Sequence, residues 1–217
     1  MDHSMTDNTS ENFYLEDISF AYAGTQAPAL RHIDLRVTQG EFVVVCGPSG
    51  AGLGEIVTRV FALRPDTASA TPVTARKPKA GETDGVGFWF YDLEGWNALK
   101  ESGDLLEATE FAGNDYGTSR RRVMEQLDAG KNVLLNLPVD RASQLKANMP
   151  EAVCVFVAPS DDALLRARYE AAGRSALEVS VRMEQAALQR QAASFCDAVV
   201  ASDDLDAAAD ALCAMLP

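Results

Sequence analysis

The chain is poor in the groups that most often announce chemistry. It has two histidines, His3 and His32, and nothing near either completes a metal site or a catalytic triad. Its four cysteines, Cys46, Cys154, Cys196 and Cys213, are widely separated, with no C-x-x-C pair and no histidine cluster nearby. Buried, reduced thiols in a reducing compartment are therefore expected, and no metal site. Positive charge is scarce: 19 Lys and Arg against 32 Asp and Glu leave a net charge of −13. A field of that sign opposes non-specific binding to nucleic acid or anionic lipid, both of which need a positive surface. No apolar run approaches the about 20 residues that cross a bilayer, so no membrane insertion is expected. Residues 1–12 are polar and acidic, unlike a secretory signal, and are expected to form a disordered lead. A cytoplasmic location is the default. There is no internal repeat and no low-complexity tract.

At 217 residues, 47% of them hydrophobic, the chain fits one domain with a sizeable core and room for a small lid. Its organising stretch is Gly47-Pro48-Ser49-Gly50-Ala51-Gly52-Leu53-Gly54. The stretch follows the apolar run Phe42-Val43-Val44-Val45-Cys46 and precedes a helical pattern over 55–63. Strand, glycine-rich turn and helix are the context in which backbone N–H groups and a helix N-terminus receive a phosphate. The spacing is that of a Walker A loop, G-x-x-x-x-G-K-[ST]. Two positions depart from it. Leu53 stands at the lysine and Gly54 at the Mg²⁺-binding hydroxyl.

Residues 13–22 alternate as a strand through Tyr14, Ile18 and Phe20, and 30–37 as a second through Ile33, Leu35 and Val37. Gln39-Gly40-Glu41 is turn chemistry leading into the loop strand. The helix over 55–63 ends before Arg64-Pro65, because proline disfavours a helical residue before it. A short strand is expected within 66–75. Next come a Gly- and charge-rich segment, 76–82, and the aromatic run Phe88-Trp89-Phe90-Tyr91. Short elements are expected over 96–101 and 104–111, then a turn over 113–118. Thr118 or Ser119 then caps a helix over 120–129 that stops at Gly130.

Beyond it, strands over 133–137, 153–158 and 198–201 alternate with helices over 141–148, 160–171, 175–194 and 205–216. That alternation indicates an α/β fold, a parallel sheet with helices on both faces. Its ligand should sit at the carboxyl ends of the strands, where the glycine loop lies. Arg120-Arg121-Arg122 reads as a solvated face or an anion holder, and Asp203-Asp204 as a helix N-terminus. Val179, Met183, Ala186 and Ala187 read as a core stripe of the long helix.

Two resemblances add to this reading. Ile18-Ser19-Phe20-Ala21-Tyr22, Pro28-Ala29-Leu30, Ile33-Asp34-Leu35 and Gln39-Gly40-Glu41 resemble the opening of an ABC-type ATPase, in which the aromatic at the Tyr22 position stacks on adenine. That likeness covers about the first 55 residues, and neither an L-S-G-G-Q motif nor a strand ending in Asp-Glu follows it. The larger resemblance, over about 170 residues, is to guanylate kinase. Its pieces occur in family order: the glycine loop, Arg76-x-Pro78-Lys79-Ala80-Gly81-Glu82, Phe88-x-Phe90, Asp104-Leu105-Leu106-Glu107 and Gly113-Asn114-Asp115-Tyr116-Gly117-Thr118. Val157-Ala158-Pro159-Ser160, Leu164 to Arg168, Arg182 and Ser202-Asp203-Asp204-Leu205 follow.

This resemblance implies a P-loop NTPase-like sheet, a small GMP-binding-type lid and, before it, an antiparallel β hairpin. The implied division is a lead at 1–12, the ABC-like hairpin at 13–40 and a guanylate kinase-like domain at 41–217. Within the last, 76–118 is the monophosphate region and 166–178 the lid. In the family two arginines and two tyrosines grip the phosphate of GMP. Here Arg76 and Tyr116 match, Lys79 replaces one arginine and Phe88 one tyrosine. Glu107 and Thr118 match two of the groups that read guanine, whereas Pro72 and Pro138 stand at the other two. Asn136 replaces an aspartate near the reacting phosphates.

On the ATP side the resemblance implies phosphate contacts from Gly47, Ser49, Gly50, Ala51, Gly52, Leu53 and Gly54, with Arg168 and Arg182 as the catalytic lid arginines. A third lid position is Ala172, with Arg174 nearby. Phosphoryl transfer rests on positioning and charge neutralisation. The expectation is a protein that binds a purine nucleotide such as GMP, with weak or no conversion of GMP and ATP to GDP and ADP. Mg²⁺ and ATP are cofactors only if it turns over. The alternatives are an interaction module that binds a phosphoprotein partner through the same cations, and an active kinase in which Lys77 or Arg174 replaces the lost lysine.

Overall fold

The computed structural model describes residues 11–20, 30–38 and 40–216, with side chains described from Gly40 onward. Strands β1 (Glu11–Phe20) and β2 (Leu30–Thr38) pair antiparallel as a hairpin. Glu11 and Asn12, read from sequence as part of a disordered lead, belong to β1. Glu11 lies opposite Thr38, across a register shift from Phe13, which faces Val37. Residues 1–10 and the adenine-stacking candidate Tyr22 lie outside the described residues.

The rest runs β3 (Phe42–Cys46), α1 (Leu53–Leu63), β4 (Thr67–Ser69), β5 (Val73–Thr74), β6 (Trp89–Phe90), α2 (Leu93–Glu101), β7 (Leu105–Phe111), β8 (Asn114–Ser119) and α3 (Arg120–Asp128). It continues with β9 (Asn132–Asn136), α4 (Val139–Asn148), β10 (Val153–Ala158), α5 (Asp162–Ala171), α6 (Ala176–Ala192), β11 (Ala198–Ala201) and α7 (Leu205–Ala214).

Five strands form one parallel sheet in the order β11-β10-β3-β9-β4. Side chains of a strand alternate between faces, and β3 divides its apolar run accordingly. Val43 and Val45 join a core with Ile56 and Val60 of α1 and Ala208, Ala209 and Leu212 of α7. Phe42, Val44 and Cys46 join a second core with Val123 of α3 and Val139, Ala142 and Leu145 of α4. β10 divides the same way, which explains why both strands read as continuous apolar runs.

The other sheet, β6-β5-β8-β7, is mixed: β5 pairs parallel with β6 and antiparallel with β8, and β8 antiparallel with β7. Its core is Val73, Trp96 and Leu99, with Trp89, Tyr91 and Leu105 packed around them. The turn expected over 113–118 is a strand. The chain reverses within Ala112 and Gly113, both at positive φ (51° and 70°), and Phe111 faces Asn114 across the hairpin. Two left-handed residues form the tight turn whose twist suits paired strands. The polar residues that follow it read as turn formers but are paired residues of β8. α5 and α6 pack through Leu165, Tyr169, Val179 and Ala186, with Met183 against them, while Ala187 is exposed.

Candidate functional site

The glycine loop crosses from the end of β3 to α1 and bends around its own backbone, with the Ala51 N–H donating to the Pro48 carbonyl at 3.1 Å. Gly47 is where it passes closest to the sheet. A Cβ there would lie 2.0 Å from the Val157 carbonyl oxygen, so only glycine lets the chain leave β3 beside β10. The α1 N-cap, Gly52, has φ 83° and supplies no side-chain cap. Leu53 packs against the core formed by α1 and α7 and also borders the cleft at the loop, where it presents no charge. Gly54 is exposed, and a Cβ there would meet nothing within 4 Å.

Two arginines reach this loop from α5 and α6. Arg168 donates to the Gly50 carbonyl at 3.4 Å, and also to the carbonyls of Ser202 (2.5 Å) and Asp203 (3.2 Å). Arg182 donates to the Ser49 hydroxyl at 3.1 Å, and the Tyr169 hydroxyl donates to the Ser49 carbonyl. Burial raises the Tyr169 pKa, so it stays a neutral donor. The loop, Glu55, Asn136, Arg168 and Leu205 line a cleft of about 760 Å³. Both lid-arginine candidates therefore stand at the glycine loop.

The monophosphate candidates gather on the mixed sheet and do not line that cleft. Arg76 follows β5 and is clamped by Glu82, with Nη1 to Oε2 at 2.6 Å and Nη2 to Oε1 at 2.7 Å. Its guanidinium carbon lies 4.8 Å from the Phe88 ring centroid and 5.1 Å from that of Phe90. Such a flat cation over aromatic faces is held in orientation as well as place. Glu82, and after it the Tyr116 hydroxyl, raise the Arg76 pKa. The Arg76 guanidinium, and after it the Lys79 backbone N–H, hold the Glu82 carboxyl down at about 2. Tyr116 packs against Phe88 with ring centroids 5.8 Å apart. Lys79 is exposed, and its ammonium makes no hydrogen bond or ion pair with the described residues.

Thr118 lies two residues beyond Tyr116, on the same face of β8. Its hydroxyl donates to Glu107 Oε1 at 2.6 Å. Arg141, in the first turn of α4, donates to both Glu107 oxygens, Nε to Oε2 at 2.5 Å and Nη2 to Oε1 at 2.7 Å. Glu107 is 2% exposed. Sequence reading missed Arg141, because nothing local marks a helical arginine as the partner of a glutamate 34 positions earlier. The only signal was its place beside the apolar stripe Val139, Ala142 and Leu145, which turns that side of α4 toward the sheets.

The Arg120-Arg121-Arg122 cluster is taken up piecemeal. Arg120 donates to the Asn148 carbonyl and Arg121 to the Tyr91 hydroxyl at 3.4 Å. Arg122 lies 3.8 Å from the Trp89 ring centroid and pairs with Glu125 at 3.0 Å. Asp204 caps α7, and Asp203 accepts from Ser160. Among the described residues no group of three or more His, Cys, Asp or Glu is placed to hold a metal ion.

The guanylate kinase family model matches residues 39–217. The chain belongs to the guanylate kinase family. It is 39% identical over 166 residues to a guanylate kinase of Synechococcus sp. (strain CC9311), covering 76% of this chain and 87% of that protein. It is 37% identical over 174 residues to one from Thermobifida fusca (strain YX), covering 80% and 89%. The crystal structure of guanylate kinase from Anaplasma phagocytophilum shares the fold, with a TM-score of 0.54 at 22% identity over 81% of this chain and 84% of that one. As a guanylate kinase-family chain it keeps the α/β frame of a parallel sheet flanked by helices, with a second, mixed sheet beside it. The connection from β9 to α4 runs from the loop cleft to the mixed sheet: Asn136 lines the cleft, and Arg141 reaches Glu107.

Proposed function

We propose that this guanylate kinase-family chain binds a purine nucleoside monophosphate on the mixed sheet and transfers phosphate from ATP slowly or not at all. The binding half rests on one observation: Arg76 is stacked on Phe88 and Phe90, clamped by Glu82 and set beside Tyr116. A guanidinium fixed in that way sets an oriented cation at the site; its Nη fork is held by Glu82, so a phosphate would displace that carboxylate or take the remaining N–H donors. Lys79 adds a second charge without the fork. Thr118 and Glu107 lie further along the same sheet and would meet the base.

The weak-transfer half rests on the glycine loop. With leucine at position 53, on the rim of the cleft, α1 supplies no ammonium to a nucleotide phosphate. Mg²⁺, which accompanies ATP in an active family member, fits these residues poorly. Gly54 has no hydroxyl, and Ser49 already accepts from Arg182. The side-chain oxygens lining the cleft are the Ser49 hydroxyl, shared with Arg182, Glu55 and the Asn136 amide, beside backbone carbonyls. Arg168 and Arg182 would still meet a phosphate chain at the loop.

Steady-state GDP formation from GMP and Mg·ATP tests the reading, with a Leu53→Lys/Gly54→Ser variant alongside. The open space at Gly54 accepts a serine without a clash. The unmodified chain is expected below about 10⁻² s⁻¹, where ordinary enzymes turn over at about 1–10³ s⁻¹. The repaired chain should gain at least a hundredfold. Ordinary turnover by the unmodified chain would overturn the proposal and move attention to Lys77 and Arg174. In the same preparation Arg76→Ala should weaken monophosphate binding at least tenfold. A second reading, a phosphoprotein-binding module, draws on the exposed Lys79. A phosphoserine peptide that binds and is not displaced by GMP would favour it.

A further inference from the structure

We propose that Arg141 sets the base preference of the monophosphate site, turning it from guanine toward oxopurines that lack the 2-amino donor, above all a 2-oxo purine of the xanthine type. The inference rests on the monophosphate reading given above. It starts from the state of Glu107. An ionised carboxylate accepts about four hydrogen bonds. Here Oε1 holds Thr118 and Arg141 Nη2, and Oε2 holds Arg141 Nε. The carboxylate is buried, with a side-chain exposure of 0%, and its charge is met by a bidentate guanidinium.

Guanine presents two adjacent donors, N1–H and the 2-amino group, and one acceptor, O6. A free carboxylate matches the two donors. A carboxylate already forked by an arginine does not, and an amine brought against it loses a hydrogen bond it made to water. Arg141 also changes what the site offers. Its Nη1 makes no hydrogen bond among the described residues, and its side chain is 18% exposed, so it presents N–H donors beside Glu107. Donors call for acceptors. Replacing the 2-amino group by a carbonyl supplies one; removing it relieves the mismatch. Pro138, the N-cap of α4, makes no side-chain bond and restores no acceptor.

Position agrees with this role. Tyr116 and Thr118 are two residues apart on one face of β8, about 7 Å along the strand. That spacing separates a phosphate end, at Arg76 and Tyr116, from a base end, at Thr118, Glu107 and Arg141.

The test is equilibrium binding of GMP, IMP and XMP to the unmodified chain, to Arg141→Ala and to Arg141→Gln, with thermal unfolding to confirm that each variant folds. The unmodified chain should bind XMP and IMP at least as tightly as GMP. Arg141→Ala frees the carboxylate and should shift the GMP-to-XMP affinity ratio at least tenfold toward GMP, with Arg141→Gln between. Tighter binding of GMP than of XMP and IMP by the unmodified chain would overturn the proposal, and so would a ratio unchanged in a folded Arg141→Ala. Should both variants fail to fold, the three affinities of the unmodified chain decide the matter. If Arg76→Ala weakens all three ligands while GMP still ranks first, the phosphate site stands and only the role of Arg141 falls. If none of the three binds the unmodified chain, the monophosphate reading fails and takes this one with it.

Discussion

Glu82 accepts from two donors at once, the Arg76 guanidinium and the Lys79 backbone N–H at 2.7 Å. Both favour its ionised form, and its pKa lies near 2 against an ordinary 4.5. A carboxyl whose folded pKa is depressed contributes stability in full above its unfolded pKa and loses it as pH falls through the folded one. The window for Glu82 is therefore pH 4.5 down to about 2. In urea titrations Glu82→Gln should be less stable than the unmodified chain at pH 7, and the gap should close as pH approaches 2. A gap that stays constant across that range would mean the ion pair contributes nothing. The same residue shows what sequence could and could not supply. Arg76 and Glu82 stand six apart in one motif, so their association was legible. The rings that hold the guanidinium come from Phe88 and Phe90, and only the pairing of β5 with β6 sets them under it.

At the scale of elements, the β7–β8 hairpin turns on Ala112 and Gly113. Glycine accepts positive φ freely, whereas alanine at φ 51° crowds its Cβ against the backbone at a cost of about 1–2 kcal/mol. Ala112→Gly should therefore stabilise the chain, by somewhat less than that because glycine also gains freedom when unfolded. Thermal unfolding reads the effect, and a lower Tm would show that the turn is not strained. Sequence reading mistook β8 for a turn because Asn114, Asp115 and Thr118 are polar and Gly113 and Gly117 are turn formers. Composition describes solvent exposure as readily as reversal. Among the elements it placed well, β3 and β10 have cores on both sides, so burial writes long apolar runs into them. The candidate site was legible where it lies in short motifs. It was not legible where it depends on partners far apart, such as Arg141 on Glu107 or Arg182 on Ser49, 34 and 133 positions away.

Over the whole molecule, the two sheets have unequal cores. The parallel sheet is packed on both faces by extensive apolar clusters, while the mixed sheet relies on Val73, Trp96 and Leu99 with partly exposed neighbours. Local opening is easiest where few buried contacts must break. Backbone amides of β5 to β8 should thus exchange with solvent faster than those of β3 and β10. A monophosphate bound at Arg76 should slow the former more than the latter. Equal protection across both sheets would mean the molecule opens only as a unit.

The chain has two tryptophans, Trp89 in β6 and Trp96 in α2, and both belong to the mixed sheet and its cover. One lies under the Arg122 guanidinium, and the other is fully buried. Indole emission therefore originates wholly in the smaller half of the protein, and the parallel sheet is dark in that channel. Far-ultraviolet circular dichroism sums over every helix and weights the other half. Recording the two signals in one denaturant series would place a separate optical clock on each sheet without attaching a label.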